Sequence, residues 1–325
     1  MKKFELLALG VVMVMLCACD GFGDKSDVRL PHVVPGKPQI SQYSGIEYIY
    51  NSDGTIRNAY AGWDGEELDV DFHYHPFEIE EYYSESDSQF AYHDKVEYSN
   101  IKQNSRGYIT SMQANCESID GDYTGGELME YKMEYSGNYL TRMVVNCTGS
   151  ESDGEYYLCW SDDYIFNIEW RNGNIQKIRV RNEYEEWTDD MVDVDREVFN
   201  EEIYFDYSTT KNTFKMFTPA YISALGLDWF TATAVLSQLD YFGYGSANLP
   251  TSAYMYSYGE EDNIDYTYEL NKDGSIMTID HIYDGQVEHV DWFMYIYNIE
   301  HKSARSEYVT KLPNKGKRGK VRGER

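Results

Sequence analysis

The feature that most constrains this chain is a hairpin that keeps returning. Tyr266 to Ile279 reads YTYELNKDGSIMTI, two runs of alternating apolar and polar residues around Asn271-Lys272-Asp273-Gly274. That turn composition puts a glycine where the backbone must be left-handed, which a side chain would resist. Glu47 to Ala59, EYIYNSDGTIRNA, repeats the arrangement with Asn51-Ser52-Asp53-Gly54. Between them come YSNIKQNSRGYITSM from Tyr98, MEYSGNYLTRMVV from Met133 and IEWRNGNIQKIRV from Ile168, each an aromatic strand, a glycine turn and a returning strand. Tyr108-Ile109-Thr110 and Asn115-Cys116 reappear as Tyr139-Leu140-Thr141 and Asn146-Cys147, 31 residues on. One hairpin and its return connection account for that spacing.

Repetition of this kind predicts a mainly β chain, an antiparallel meander of Tyr-rich hairpins. The 32 tyrosines supply strand character because aromatic rings fit a pleated, half-buried surface. A long meander must close on itself or protect its edges, so the expected architecture is barrel-like or a strongly curved sheet. A lipid-spanning barrel needs an outward apolar band on every strand, and Lys132-Met133-Glu134-Tyr135 and Tyr204-Phe205-Asp206-Tyr207 do not provide one.

One segment breaks the pattern. Thr218 to Gly243 carries Pro219 at a helix start, Asp228 as a second N-cap, and Trp229, Ala232, Leu236 and Leu239 at helical spacing. Two short helices bent near Gly226 are expected, set against the concave face or at the mouth of the sheet.

The N-terminus, MKKFELLALGVVMVMLCACDG, has two lysines and then an apolar run too short to span a bilayer, as a secretion signal does. Its end resembles the lipobox of bacterial lipoproteins: Ala18 precedes Cys19, the residue expected to carry lipid, whereas bulky Leu16 before Cys17 rules that cysteine out. Such a lipid would hold the protein at an outer membrane, at the cell surface or on its periplasmic face. The expected organisation is a signal over 1–18, a flexible tether over 19–42, a β domain over 43–300 with the helical insertion 218–243, and a basic disordered tail over 301–325.

The helix ending Leu239-Asp240-Tyr241-Phe242-Gly243, followed by Gly245-Ser246-Ala247-Asn248-Leu249-Pro250, a Tyr-x-Tyr strand and an Asp-Gly hairpin, resembles the C-terminal part of an uncharacterised Bacteroidetes lipoprotein family. The resemblance covers most of residues 45 to 285 and implies a porin-like β fold. It brings no activity and no site residues, and the basic tail is foreign to it.

Charge narrows the partners. With the signal's two lysines and Glu5, and the tail's nine basic and two acidic residues set aside, the body holds 17 basic against 53 acidic side chains. A surface so acidic repels nucleic acid and other polyanions. The tail has the opposite sign and suits an anionic surface.

Candidate chemistry is sparse. Asp71, His73 and His75, on one face of a strand, have the residue types for zinc, the plainer reading being a solvated face. Asp189, Asp190, Asp193, Asp195 and Glu197 offer carboxylates to calcium without the glycine and spacing of an EF-hand loop. No cofactor is otherwise expected. Cys147 and Cys159 flank Ser150 to Gly154 and could pair across a hairpin in an oxidising envelope, leaving Cys116 odd; the alternative is three free, buried thiols. Trp63, Trp160, Trp170, Trp187 and Trp292 are candidate ligand-binding rings, with packing as the plainer role. No hydrolase, zincin, phosphate-loop or nucleotide motif is present. The leading expectation is therefore a non-enzymatic, lipid-anchored protein that binds a glycan or an apolar molecule. A structural component of a surface complex comes next, and an envelope hydrolase third.

Overall fold

The computed structural model describes residues 29–31, 36–63, 66–86, 91–120, 123–152, 157–188, 194–257 and 260–296. Cys19, the tail from His301, and Asp189, Asp190 and Asp193 lie outside them. The strands are β1 (Gln39–Tyr43), β2 (Ile46–Tyr50), β3 (Ile56–Trp63), β4 (Glu66–Tyr74), β5 (Phe77–Ser86), β6 (Ala91–Gln103), β7 (Ile109–Asp120), β8 (Tyr123–Ser136), β9 (Tyr139–Ser152), β10 (Tyr157–Arg171), β11 (Asn174–Thr188) and β12 (Val194–Lys211). Helices α1 (Pro219–Ala224) and α2 (Thr231–Gln238) follow, then β13 (Asn248–Ser257), β14 (Glu260–Leu270), β15 (Ile276–Tyr283) and β16 (Gln286–Ile296). Every strand pairs antiparallel with its sequence neighbour, and β1 pairs with β16, so the meander closes into a 16-stranded barrel. The first strand begins at Gln39, inside the stretch expected to be tether.

The two Asn-x-Asp-Gly turns that begin the argument fold alike. In each, the first Asn N–H donates to the residue four on (Asn51 to Thr55 and Asn271 to Ser275, both 2.8 Å). In each, the aspartate accepts a hydroxyl, from Thr55 at 2.6 Å and from Ser275 at 2.7 Å. Gly54 and Gly274 sit at φ 89° and 84°, the left-handed conformation the sequence called for.

Alternation along the strands separates two environments. On β4, Leu68, Val70 and Phe72 are buried inside, whereas Glu67, Asp69, Asp71 and His73 face out and are exposed. The same division holds for Ile79 against Glu78 and Glu80, and for Met133 against Lys132 and Glu134. Charged residues at these outward positions interrupt the continuous apolar band a lipid-spanning barrel needs, although the strands also expose Ile119, Leu128, Val198, Val287 and Val290.

The turns β2–β3, β4–β5, β6–β7, β8–β9, β10–β11 and β14–β15 all lie at one end, together with the long β12–β13 connection. That connection shuts the end. Its backbone crosses the hairpin tips, with Ala247 N–H donating to Gly173 O (2.7 Å), Tyr244 N–H to Asn138 O (2.8 Å) and Ile109 N–H to Tyr241 O (2.9 Å). Its apolar side chains fill this half: Phe217, Tyr221, Leu225, Leu227, Leu236 and Phe242 have no measurable exposure.

Within this plug, α1 starts at Pro219 and the chain bends at Gly226, as expected. The start of α2 differs from the expectation. Its N-cap is Phe230, with no side-chain cap of its own, and Asp228 stands outside the helix, exposed. The cap comes from the barrel wall: Glu81 on β5 accepts Thr231 N–H at 2.9 Å and Ala232 N–H at 2.8 Å. A buried carboxylate is stabilised there because the first helical amides otherwise have no partner.

Candidate functional site in the open half of the barrel

Below α2 the interior changes character. Trp229, two residues before the helix, is 41% exposed although the other large apolar side chains of the plug are buried or half-buried, and its ring meets Tyr164 of β10 with centroids 4.9 Å apart. The plug therefore ends on an open lumen. Strand register places the lining in layers. One runs Cys116, Glu127, Gly149, Trp160, Glu186 across β7 to β11; the next, nearer the plug, runs Ala114, Met129, Cys147, Asp162, Tyr184; a third runs Met112, Tyr131, Val145, Tyr164, Asn182.

The carboxylates in these layers are held by neutral donors. Asp162 accepts the Tyr164 hydroxyl at 2.6 Å and the Asn182 amide. Glu186 accepts Tyr184, and Glu127 accepts the Cys147 thiol. Burial first, and then the adjoining carboxylate, push the Tyr164, Tyr184 and Cys147 protons to higher pKa. Burial likewise raises the Cys116 thiol to about 11. Neither thiol is a poised nucleophile.

Trp160 owes its position to a glycine. Its ring lies across Gly149 so closely that a Cβ there would stand 2.3 Å from Trp160 Cζ2. Gly149→Ala should push the ring off the wall, lowering stability by roughly 1–3 kcal/mol. Tryptophan emission should shift in that variant and not in Gly149→Ala made on a Trp160→Phe background. Equal shifts in the two would mean that the ring does not rest on Gly149.

A second polar group sits where the barrel closes. Asp291 on β16, 2% exposed, accepts Ser44 Oγ at 2.8 Å, His281 Nε2 at 2.8 Å and His289 Nε2 at 3.2 Å. Burial works to raise its pKa, but the hydrogen bonds from His281, Ser44 and Tyr43 hold it below the usual carboxylate range. The order of these groups is not that of a hydrolytic triad. The carboxylate lies between serine and histidine, so the bonds shown put no imidazole on the Ser44 hydroxyl.

A crystal structure of a porin-like protein from Bacteroides vulgatus aligns with 79% of this chain and 99% of its own, at 11% identity and a TM-score of 0.45. One of a porin-like protein from Bacteroides uniformis aligns with 67% and 96%, at 15% identity and a TM-score of 0.25. Likenesses at this level carry over no function and no residue role. No protein-family model matches the chain, and no curated protein sequence matches it.

The residues singled out in the sequence are dispersed. Trp160 lines the lumen. Trp170 packs at the capped end, its Nε1 donating to Leu140 O at 2.7 Å and its ring 4.6 Å from Tyr139. Trp187 and Trp292 take the outward parity of their strands, next to inward Glu186 and Asp291, and Trp63 ends β3. Trp229, read in the sequence as helix core, is the exposed ring inside. Asp71 and His73 do share the outer face of β4, but β4 ends at Tyr74, so His75 lies in the two-residue turn with Pro76. Asp195 and Glu197 are strand residues of β12, opposite Glu186 and Tyr184. Among the described residues, no group of three His, Cys, Asp or Glu side chains is arranged to hold a metal ion.

The Cys147–Cys159 pairing is corrected. Cys147 lies opposite Asp162 and points inward, while Cys159 lies opposite Ser150 with outward parity, so one sheet separates them. Among the described residues Cys116, Cys147 and Cys159 form no disulfide.

Proposed function

We propose that this protein is a lipid-anchored, non-enzymatic envelope protein whose one-ended barrel receives a ligand in its open half. The observation that carries the reading is the division of the interior. One half is packed to zero exposure, and the other leaves Trp229, Trp160, Tyr164 and Tyr184 partly exposed beside carboxylates. A scaffold would gain by filling both halves, since partly exposed interior rings forgo burial free energy. Carboxylates among the rings favour a polar ligand over a purely apolar one, because an apolar occupant would strip them of water without replacing its hydrogen bonds.

Lipid at Cys19 and the tether that follows would keep the barrel close to a membrane that its charged wall does not enter. Native mass spectrometry of the full chain, extracted from its host in mild detergent and set against the denatured mass, tests the binding function. A co-purified species of reproducible mass, lost from a Trp160→Ala/Trp229→Ala variant, is the expected result. A bare protein, or a species the double variant retains, would turn the reading toward a scaffold.

A further inference from the structure

We infer that the ligand of the open half is an organic cation, a primary ammonium or guanidinium group carried on an apolar stem. This rests on the binding function proposed above and names the chemical class it serves.

The first argument is the sorting of charge between the two faces of the wall. Lys95, Arg142, Lys177, Arg179, Arg181 and Arg196 lie outside and pair with outer carboxylates: Glu97, Glu134, Glu202, Glu169, Glu183 and Glu185 respectively. Inside, Glu127, Asp162 and Glu186 occupy adjacent layers, and the donors bonded to them are a thiol, two phenols and an amide, none of which carries positive charge. Carboxylates gathered within a low-dielectric wall focus a negative potential down the lumen. That potential repels anions and attracts a cation of a size the mouth admits.

A second observation is independent of the acids. Tyr98 on β6 is 1% exposed, and its hydroxyl has no hydrogen-bond partner among the described residues. By register it faces inward in the layer of Ala114, Met129, Cys147, Asp162 and Tyr184, with Phe230 edge-on at 6.5 Å. A buried hydroxyl without a partner costs free energy until something supplies a donor or acceptor. Ammonium and guanidinium groups have donors to give to both a phenol oxygen and a carboxylate.

The rings complete the match. Trp160, laid flat over Gly149, and the Trp229–Tyr164 pair present π faces at the level of the carboxylates, an arrangement that attracts a cation and covers an apolar stem. Neutral sugars would use the rings and could donate hydroxyls to the carboxylates, but would leave their negative charge uncompensated.

The test is a tryptophan-fluorescence titration of the full chain with phenethylammonium and, separately, with neutral phenethyl alcohol. The ammonium is expected to bind at least tenfold more tightly and to weaken as salt is raised. Glu127→Gln/Asp162→Asn/Glu186→Gln should abolish the preference, read as the ratio of the two affinities in the variant. Should the triple variant not fold, Glu127→Gln and Glu186→Gln made singly should each lower the preference about threefold. Equal affinities for the two probes in the native protein, or a preference that survives the substitutions, overturns the inference. The binding function itself fails by a different result, the absence of any co-purified species in native mass spectrometry. A host ligand that proves neutral or anionic would leave that function standing and sink the cation.

Discussion

Lys37→Ala should lower the melting temperature at pH 7 by roughly 6–15 °C, corresponding to about 3–5 kcal/mol. Lys37 precedes β1, and its Nζ donates to Asp240 Oδ1 at 2.7 Å and to Gln238 O at 3.1 Å. The pair is withdrawn from water, with 7% of the lysine side chain and none of the aspartate exposed. Asp240 Oδ2 has no hydrogen-bond partner among the described residues. Truncating the lysine therefore strands a buried carboxylate, which costs far more than an exposed pair would.

The same site fixes a pH dependence. Burial raises Asp240 to about 6 from an ordinary 3.8, with Lys37 opposing the shift. A carboxyl whose folded pKa lies above its unfolded one stabilises the fold fully below pH 4. That contribution is lost as pH rises through 6, about 3 kcal/mol in all. In Lys37→Ala the folded pKa climbs further, so the decline extends to higher pH. Lys37→Met/Asp240→Asn, which buries neither charge, should recover most of the lost stability and remove this component of the slope. Melting curves from pH 4 to pH 8 for the three proteins decide the matter. A Lys37→Ala protein melting within 2 °C of the native one would show that the pair does not hold the plug.

Glu81→Ala is expected to have the next largest effect, about 2–4 kcal/mol, because it orphans the amides of Thr231 and Ala232 in the barrel interior. Burial raises the Glu81 pKa, and the two helix amides pull the other way. Glu81→Gln keeps a carbonyl oxygen able to accept one of the bonds, so its loss should be about half. The emission of Trp229, two residues before the first orphaned amide, should change more in the alanine variant than in the glutamine one. Equal melting temperatures for the two variants would assign the effect to lost volume or charge and not to capping.

Glu81 also shows where sequence reading stops. A cap at Asp228 is what local pattern supports, because N-caps usually lie next to the helix they serve. Here the acceptor comes from a strand 150 residues away, which no local rule sees. The hairpins were legible because alternation and turn chemistry are local, and so was the bend at Gly226. The lumen was harder. In Trp160-Ser161-Asp162-Asp163-Tyr164 both faces of β10 carry polar residues, so alternation there is silent. Parity counted back from buried Phe166 and Ile168 would have placed Tyr164, Asp162 and Trp160 on one inner face. The same count separates Cys147 from Cys159. The group around Asp291 offered less, since a register shift between His281 and Ile282 interrupts the parity that would have joined the two histidines.

Closure of the barrel by its first and last strands puts both ends of the described chain at one pole. Gln39 at the start of β1 pairs with Ile296 at the end of β16, and Arg29 bonds Gln103 and Ser105 at the β6–β7 turn. The chain thus enters and leaves at the capped end. If lipid at Cys19 holds the protein, as proposed above, the capped end is the pole from which the described chain runs toward the bilayer. The opening is then presented outward like the bell of a sea anemone, free to sample whatever diffuses past.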